Sequence, residues 1–216
     1  MGAPGFSVAH LDEVEELEVA DGLHMLPLRR RLGINAFGIN GWKVANAGDR
    51  VIEEHDETGS NAARHEELYV VVRGRADFTI GEQQIDAPAG TLVFVRDQAL
   101  RRGAVAREAG TVVLAIGGVV GQAYEVGPWE FFFTADGLNL KGDHDAAMEV
   151  IEDGVARHPQ NGTVLYTRAC THALAGRREQ ALADLHRAIE LNPREREHAQ
   201  HDSDLDSIRD DPAFPR

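Results

Sequence analysis

The sequence predicts an α+β protein, with a β-barrel domain first and an all-helical domain second. Three observations carry this. The stretch from His65 to Val95 holds three apolar, β-branched runs of strand length (Leu68–Val72, Phe78–Ile80 and Leu92–Val95), each closed by a turn signal. Past Gly127 the spacing of apolar residues changes from a period near 2 to one near 3.6. That second part also repeats itself at an offset of 34 positions. The expected boundaries are 1–126 for the barrel and 127–216 for the helices.

In chain order, Met1–Gly5 reads as a loose tail. Phe6–Ala20 mixes valine and leucine with acids and fits either a strand or a short helix. From Leu23 to Val44 the pattern is β-like, broken by Gly33, Gly38 and Gly41, and would supply the first barrel strands. Arg29-Arg30-Arg31 is the one basic triplet and reads as a solvated strand end or turn. Val51–Glu57 is the next strand, and Thr58–Arg64 a polar loop leading into His65. Gly74 and the Pro88-Ala89-Gly90 corner sit where the chain needs positive φ or a sharp turn. Thr111–Ile116 is apolar enough to be covered on both faces. Gly117 to Pro128 reads as the connection between domains.

In the second part Ala135 matches Ala169, Leu140 matches Leu174, Gly142 matches Gly176, Ala147 matches Ala181 and Pro159 matches Pro193. Small residues at these places let helices approach closely, the glycines turn the chain inside each pair, and the prolines open the next turn. Helices are expected near 129–141, 144–157, 161–175 and 178–191. Leu205, Ile208 and Phe214 are expected to cap the last pair. Trp129, Phe131, Phe132 and Phe133 read as core between the two domains.

Composition excludes several functions. The 216 residues include 22 Lys plus Arg against 36 Asp plus Glu, a formal charge of −14, which opposes binding to a phosphate backbone. Nucleic acid is therefore not an expected partner. Cys170 is the single cysteine, so an intrachain disulfide is impossible and a reducing compartment fits. No stretch is long and apolar enough to span a bilayer, and no basic leader with an apolar core opens the chain. The expectation is a soluble cytoplasmic protein without a membrane partner.

Two resemblances sharpen this reading. Glu67, six residues, then Gly74, with Pro88-Ala89-Gly90 leading into Thr91–Val95, resembles the two motifs of the cupin family. The resemblance covers about 47–118 and implies a double-stranded β-helix, or jelly roll. The 34-residue repeat resembles two tetratricopeptide repeats, with substitutions at consensus positions (Thr134 and Arg168, Leu138 and His172), and implies a protein partner bound through the helices. The cupin resemblance also implies a small-molecule site and, in metal-dependent members, a divalent ion held by two histidines and a glutamate of the first motif and a histidine of the second. Glu67 matches the glutamate. The histidine pair falls on Asn61 and Ala63, or in a second register on Glu54 and Asp56 around His55. The last histidine falls on Arg101.

Two expectations follow. In the first, the barrel is a non-catalytic binding domain with no cofactor, holding a small anionic ligand at Arg101, Glu67 and Tyr69, with Glu67 paired to Arg101 and His65 and Glu66 as ordinary loop residues. In the second, His55, His65 and Glu67 form a reduced site for Fe, Mn, Zn or Ni that supports oxygenase, isomerase or hydrolytic chemistry. His65 and Glu67, two apart on a strand, share a face. Cys170 reads as a packing residue. A homodimer through the Leu23–Val44 strands is the further expectation for assembly.

Overall fold

The structure is a computed structural model and describes residues 7–216. The tail expected at Met1–Gly5 lies outside the described residues, as does Phe6. The chain divides into two units, Met1–Val126 and Gly127–Arg216.

The first unit holds ten strands: β1 (Leu17–Ala20), β2 (Leu23–Leu26), β3 (Gly38–Val44), β4 (Arg50–His55), β5 (Glu66–Arg73), β6 (Arg75–Ile80), β7 (Gln83–Pro88), β8 (Leu92–Val95), β9 (Arg102–Ala106) and β10 (Val112–Gly118). They form an antiparallel sheet in the order β1-β2-β3-β10-β5-β8 and a second in the order β4-β9-β6-β7. Numbering β3 to β10 as one to eight gives sheet orders 1-8-3-6 and 2-7-4-5, the jelly-roll topology. Tyr69, Val71, Val93, Val95 and Val113 from one sheet meet Val51, Ile52, Phe78, Ala87, Ala104 and Ala106 from the other in a single core. Alternation along the strands selects them, since Leu92 and Phe94 point out where Val93 and Val95 point in.

Gly74 joins β5 to β6 at φ 73°, and a Cβ there would lie 2.4 Å from Thr111 Oγ1 and 2.9 Å from its Cα, so both conformation and space demand glycine. β10 is covered on both faces. Val113 enters the barrel core, while Val112 packs with Val14, Leu26 and Leu28, and Leu114 lies against that cluster. Around them residues 7–20 hold a 3-10 turn at Leu11–Glu13 followed by β1.

The structure departs from the sequence reading at Arg29–Arg31. These residues lie in α1 (Leu28–Leu32), a short helix closed by Gly33 at φ 68°. In the stretch Leu23–Val44, whose strands are expected to carry a homodimer, Leu23, Met25, Leu26, Leu28 and Val44 are buried within this unit.

The second unit contains α2 (Pro128–Leu140), α3 (His144–Arg157), α4 (Gly162–Leu174), α5 (Arg178–Leu191), the short α6 (Glu195–Ala199) and a 3-10 segment at Ser203–Ile208. Every bound of α4 and α5 lies 34 residues after that of α2 and α3. Pro128 occupies the first turn of α2, where no backbone donor is needed. Asp143 and Asn161 cap α3 and α4 through their side chains. Gly142 and Gly176 turn the chain inside each pair at φ 79° and 72°. Leu205, Ile208 and Phe214 are buried with Leu165, Ala169, Ala173 and Leu185. Phe131 is buried within this unit, its Cβ meeting the space above Gly154, and the Phe133 ring meets those of Trp129 and Phe132 in T-shaped contacts along α2. Among the described residues no helix is long and apolar enough to cross a membrane.

Candidate functional site

A polar cluster breaks the apolar lining of the barrel where β4, β5 and β9 meet. Three side chains project into it by strand alternation. Glu67 and Tyr69 sit two apart on β5, on the face that carries Val71. Arg102 shares its inward face with Ala104 and Ala106 on β9. His55 is the Cα partner of Arg102 across the β4–β9 ladder.

His55 arrives there through an irregularity. Plain alternation from buried Ile52 would point Glu54 inward. Between Ile52 and His55 the pairing slips by one residue, because three steps along β4 match two along β9. Such a bulge reverses the faces, turning His55 inward and leaving Glu54 exposed.

Glu67 Oε2 is the centre of the cluster. The Tyr69 hydroxyl donates to it at 2.5 Å and Arg102 Nε at 3.1 Å, and His55 Nε2 lies 3.4 Å away. Arg102 Nη2 is also 3.1 Å from this oxygen, in ion-pair range without a hydrogen bond of its own. Nη1 of the same guanidinium donates to the carbonyls of Gln98 and Leu100 at 3.1 and 2.9 Å. The Arg102 side chain is 0% exposed, that of Glu67 12% and that of His55 35%, so solvent reaches the cluster over the imidazole edge.

His55 Nδ1 lies 2.8 Å from the Glu53 carbonyl, which can only accept, so Nδ1 carries a proton. Nε2 then faces the carboxylates of Glu67 and Glu57, the latter at 3.9 Å. Burial works against protonation of this ring, but the hydrogen bond and charge of Glu67 and the Glu53 carbonyl outweigh it and raise the His55 pKa. Burial alone would lift the Glu67 carboxyl. His55, Tyr69 and Arg102 reverse this and hold it below the usual value. Tyr69 is pushed well above the ordinary phenol value by burial and by Glu67, so it stays a neutral donor.

Glu57, just beyond β4, completes the group. Its Oε2 accepts the backbone N–H groups of Ala63 and His65 at 3.0 and 3.1 Å, which ties down the 58–64 loop. Burial, then the charge of Glu67, raises its pKa.

The candidate residues of the sequence thus fall into two sets. His55, Glu67 and Tyr69 are brought together. Arg101 is not among them, since it is exposed on β9's approach and pairs with Glu54 at 2.8 Å. The guanidinium on Glu67 belongs to Arg102, because the alternation that buries Ala104 and Ala106 also buries Arg102 and turns Arg101 outward. His65 is buried just ahead of β5, its ring lies 5.5 Å from that of Tyr124, and its Nε2 has no hydrogen-bond partner. Burial lowers its pKa. The ligand atoms that lie within 4.8 Å of one another belong to His55, Glu57 and Glu67. Glu57 and Arg102 are the residues that counting motif spacings misses. Strand parity from Ala104 and Ala106 points to Arg102, and the two-residue step from His55 points to Glu57.

One imidazole nitrogen and two carboxylates are a suitable donor set for a divalent ion. The arrangement present does not fit one well, because Glu67 Oε2 is already engaged by a phenol and a buried guanidinium, and Glu57 Oε2 by two amides. The fixed positive charge of Arg102 opposes a cation at this point.

Jelly roll and buried polar cluster together define the first unit as a barrel with an ionisable site in its wall. Several solved structures are similar to this chain, some of them described as cupins. KdgF from Halomonas sp. is 16% identical, with 56% of this chain and 96% of that chain covered, at a TM-score of 0.43. An RmlC-like cupin from Shewanella frigidimarina is 19% identical, with 55% and 95% covered, at 0.41. A sugar phosphate isomerase of the cupin superfamily from Silicibacter pomeroyi is 17% identical, with 53% and 74% covered, at 0.42. No protein-family model matches the chain. No curated protein matches it either.

Proposed function

We propose that the first unit is a non-catalytic binding domain that receives a small anionic ligand at the exposed edge of His55, beside Glu57, Glu67, Tyr69 and Arg102. The observation that carries this reading is the fully buried Arg102 guanidinium on Glu67. It neutralises the carboxylate that would otherwise draw a metal, and the protonated imidazole beside it becomes the solvent-facing cation. Arg102 sets the site up, and the half-exposed His55 ring edge attracts the ligand by its charge, its two nitrogens being turned to Glu53 and Glu67. The tetratricopeptide-like reading of the second unit, as a surface for a protein partner, is supported by the 34-residue recurrence of its helix bounds.

A second reading, a metal-dependent enzyme using Fe, Mn, Zn or Ni, is favoured by one observation: the ligand atoms of His55, Glu57 and Glu67 lie within 4.8 Å of one another. Metal analysis of protein purified without added metal, repeated on His55→Ala, decides between the two. The binding-domain reading expects no stoichiometric metal in either protein and an oxalate-induced thermal shift that His55→Ala abolishes. Stoichiometric metal in the wild type, lost in His55→Ala, overturns it.

A further inference from the structure

The helical unit carries a second buried ionisable cluster, where α2, α4 and the C-terminal segment 200–216 converge. The segment is held by Leu205, Ile208 and Phe214 in the helical core and by Ser207 Oγ, which donates to the Ala173 carbonyl at 3.1 Å. Its polar anchor is Asp202. One oxygen of this carboxylate accepts the Tyr166 hydroxyl at 2.8 Å and lies 3.6 Å from Cys170 Sγ, and the other accepts the backbone N–H of Asp204 at 3.0 Å. A carboxylate oxygen of Asp204 lies within 4.8 Å of Cys170 Sγ and of a carboxylate oxygen of Asp202. Asp136, from α2, is mostly buried beside them with Thr167 as its hydrogen-bond partner. Three partly buried carboxyl groups from two separate stretches of chain thus act on one another, Asp204 and Asp202 both adding negative charge at Asp136.

We propose that Asp136, Asp202 and Asp204 form a pH-dependent clasp, closed while Asp136 keeps its proton and loosened when all three carboxylates are ionised. The groups around it fit this. Burial, then the charges of Asp204 and Asp202, raise the Asp136 pKa to about 7, and Thr167 offsets this in part. From α4, Tyr166 is pushed up by burial, then by Cys170 and Asp202, and Cys170 by burial, then by Asp202, Asp136 and Asp204, so they remain neutral donors. The C-terminal segment adds Asp206, which acts on Asp204 with the same sign as Asp202, and α3 supplies His144, whose charge opposes them there.

The sign follows from linkage. An Asp136 exposed by opening returns towards the ordinary value of 3.8, so the closed form binds a proton that the open form gives up. The opening constant therefore rises about tenfold per pH unit between roughly pH 4 and 7 and levels off above. Opening bares the apolar faces of α4 and α5 that Leu205, Ile208 and Phe214 cover.

Hydrogen exchange of the 205–214 amides in the full chain, corrected for intrinsic exchange, tests this between pH 5 and 8. The wild type is expected to lose protection about tenfold per unit up to pH 7. Asp136→Asn, which keeps shape and hydrogen bonding without ionising, is expected to stay protected at pH 8 with less than half that slope. A flat wild-type profile overturns the proposal, and so does an Asp136→Asn profile that keeps more than half of the wild-type slope.

Discussion

Replacing Arg102 by methionine probes the barrel cluster most directly. The side chain is fully buried, and its loss leaves the Glu67 carboxylate in the barrel wall with only Tyr69 and His55 as donors, while two carbonyls lose a charged donor. Breaking a buried pair by removing one member costs about 3–5 kcal/mol. With an unfolding entropy of about 2.1 cal/mol/K per residue over the unit Met1–Val126, a loss of about 4 kcal/mol lowers Tm by about 15 °C. The cost depends on pH. In the wild type the Glu67 pKa is lowered, so its contribution is present above the usual value and fades as pH falls through the folded one. In the variant, burial acts with less opposition and raises that carboxyl, which takes up a proton in mildly acid solution and relieves the strain. The gap between the two proteins therefore widens from pH 5 to pH 8. Urea unfolding in a Trp129→Phe background, where Trp42 is the remaining tryptophan and lies against the barrel core, isolates this unit. A loss below about 1 kcal/mol, or one equal at both pH values, would refute the assignment of Arg102 as the partner that neutralises Glu67.

The imidazole of His55 is expected to titrate above 6.5 by NMR and to fall below it in Glu67→Gln, where burial is left as the main influence. Its stabilising contribution is accordingly full below the ordinary histidine value and lost as pH rises through the folded one; an unshifted His55 in Glu67→Gln would contradict this. Glu57→Ala removes the acceptor of two backbone amides and is expected to cost roughly 1–3 kcal/mol. Exchange at Ala63 and His65 should accelerate at least tenfold while β6 and β7 stay protected, and unchanged exchange there would show that the loop is held by other contacts.

The strands with β-branched, alternating residues are legible in the sequence because their burial pattern is their period. β7 is not, since Gln83, Gln84 and Asp86 face solvent and only Ala87 is fully buried. Nor is α1, five residues whose helical turn is set by packing of Leu28 and by the Gly33 stop rather than by periodicity. β10 reads as continuous apolar sequence because both its faces are covered. Helices α2 to α5 lie within a residue of their expected ranges, because a 3.6 period with glycine and proline punctuation is a strong local signal, whereas the five-residue α6 has no such signal. In the cluster, Glu67 is found by its spacing to Gly74. Arg102 is displaced by one place from the position that motif counting gives, and a one-residue step reverses the face of a strand. The β4 bulge that turns His55 inward has no local signature, since it depends on pairing with β9.

The layer formed by Val14, Leu26 and Leu28 over Val112 bears on how this barrel could be excised. A fragment cut to the recognisable motif region, 47–118, would forfeit β3, which hydrogen-bonds along β10 on the side opposite β5. It would also strip the outer coat from β10 and leave a greasy, open seam through the middle of the six-stranded sheet. A self-sufficient piece therefore has to begin well upstream of the motifs, no later than the 3-10 turn that starts with Leu11.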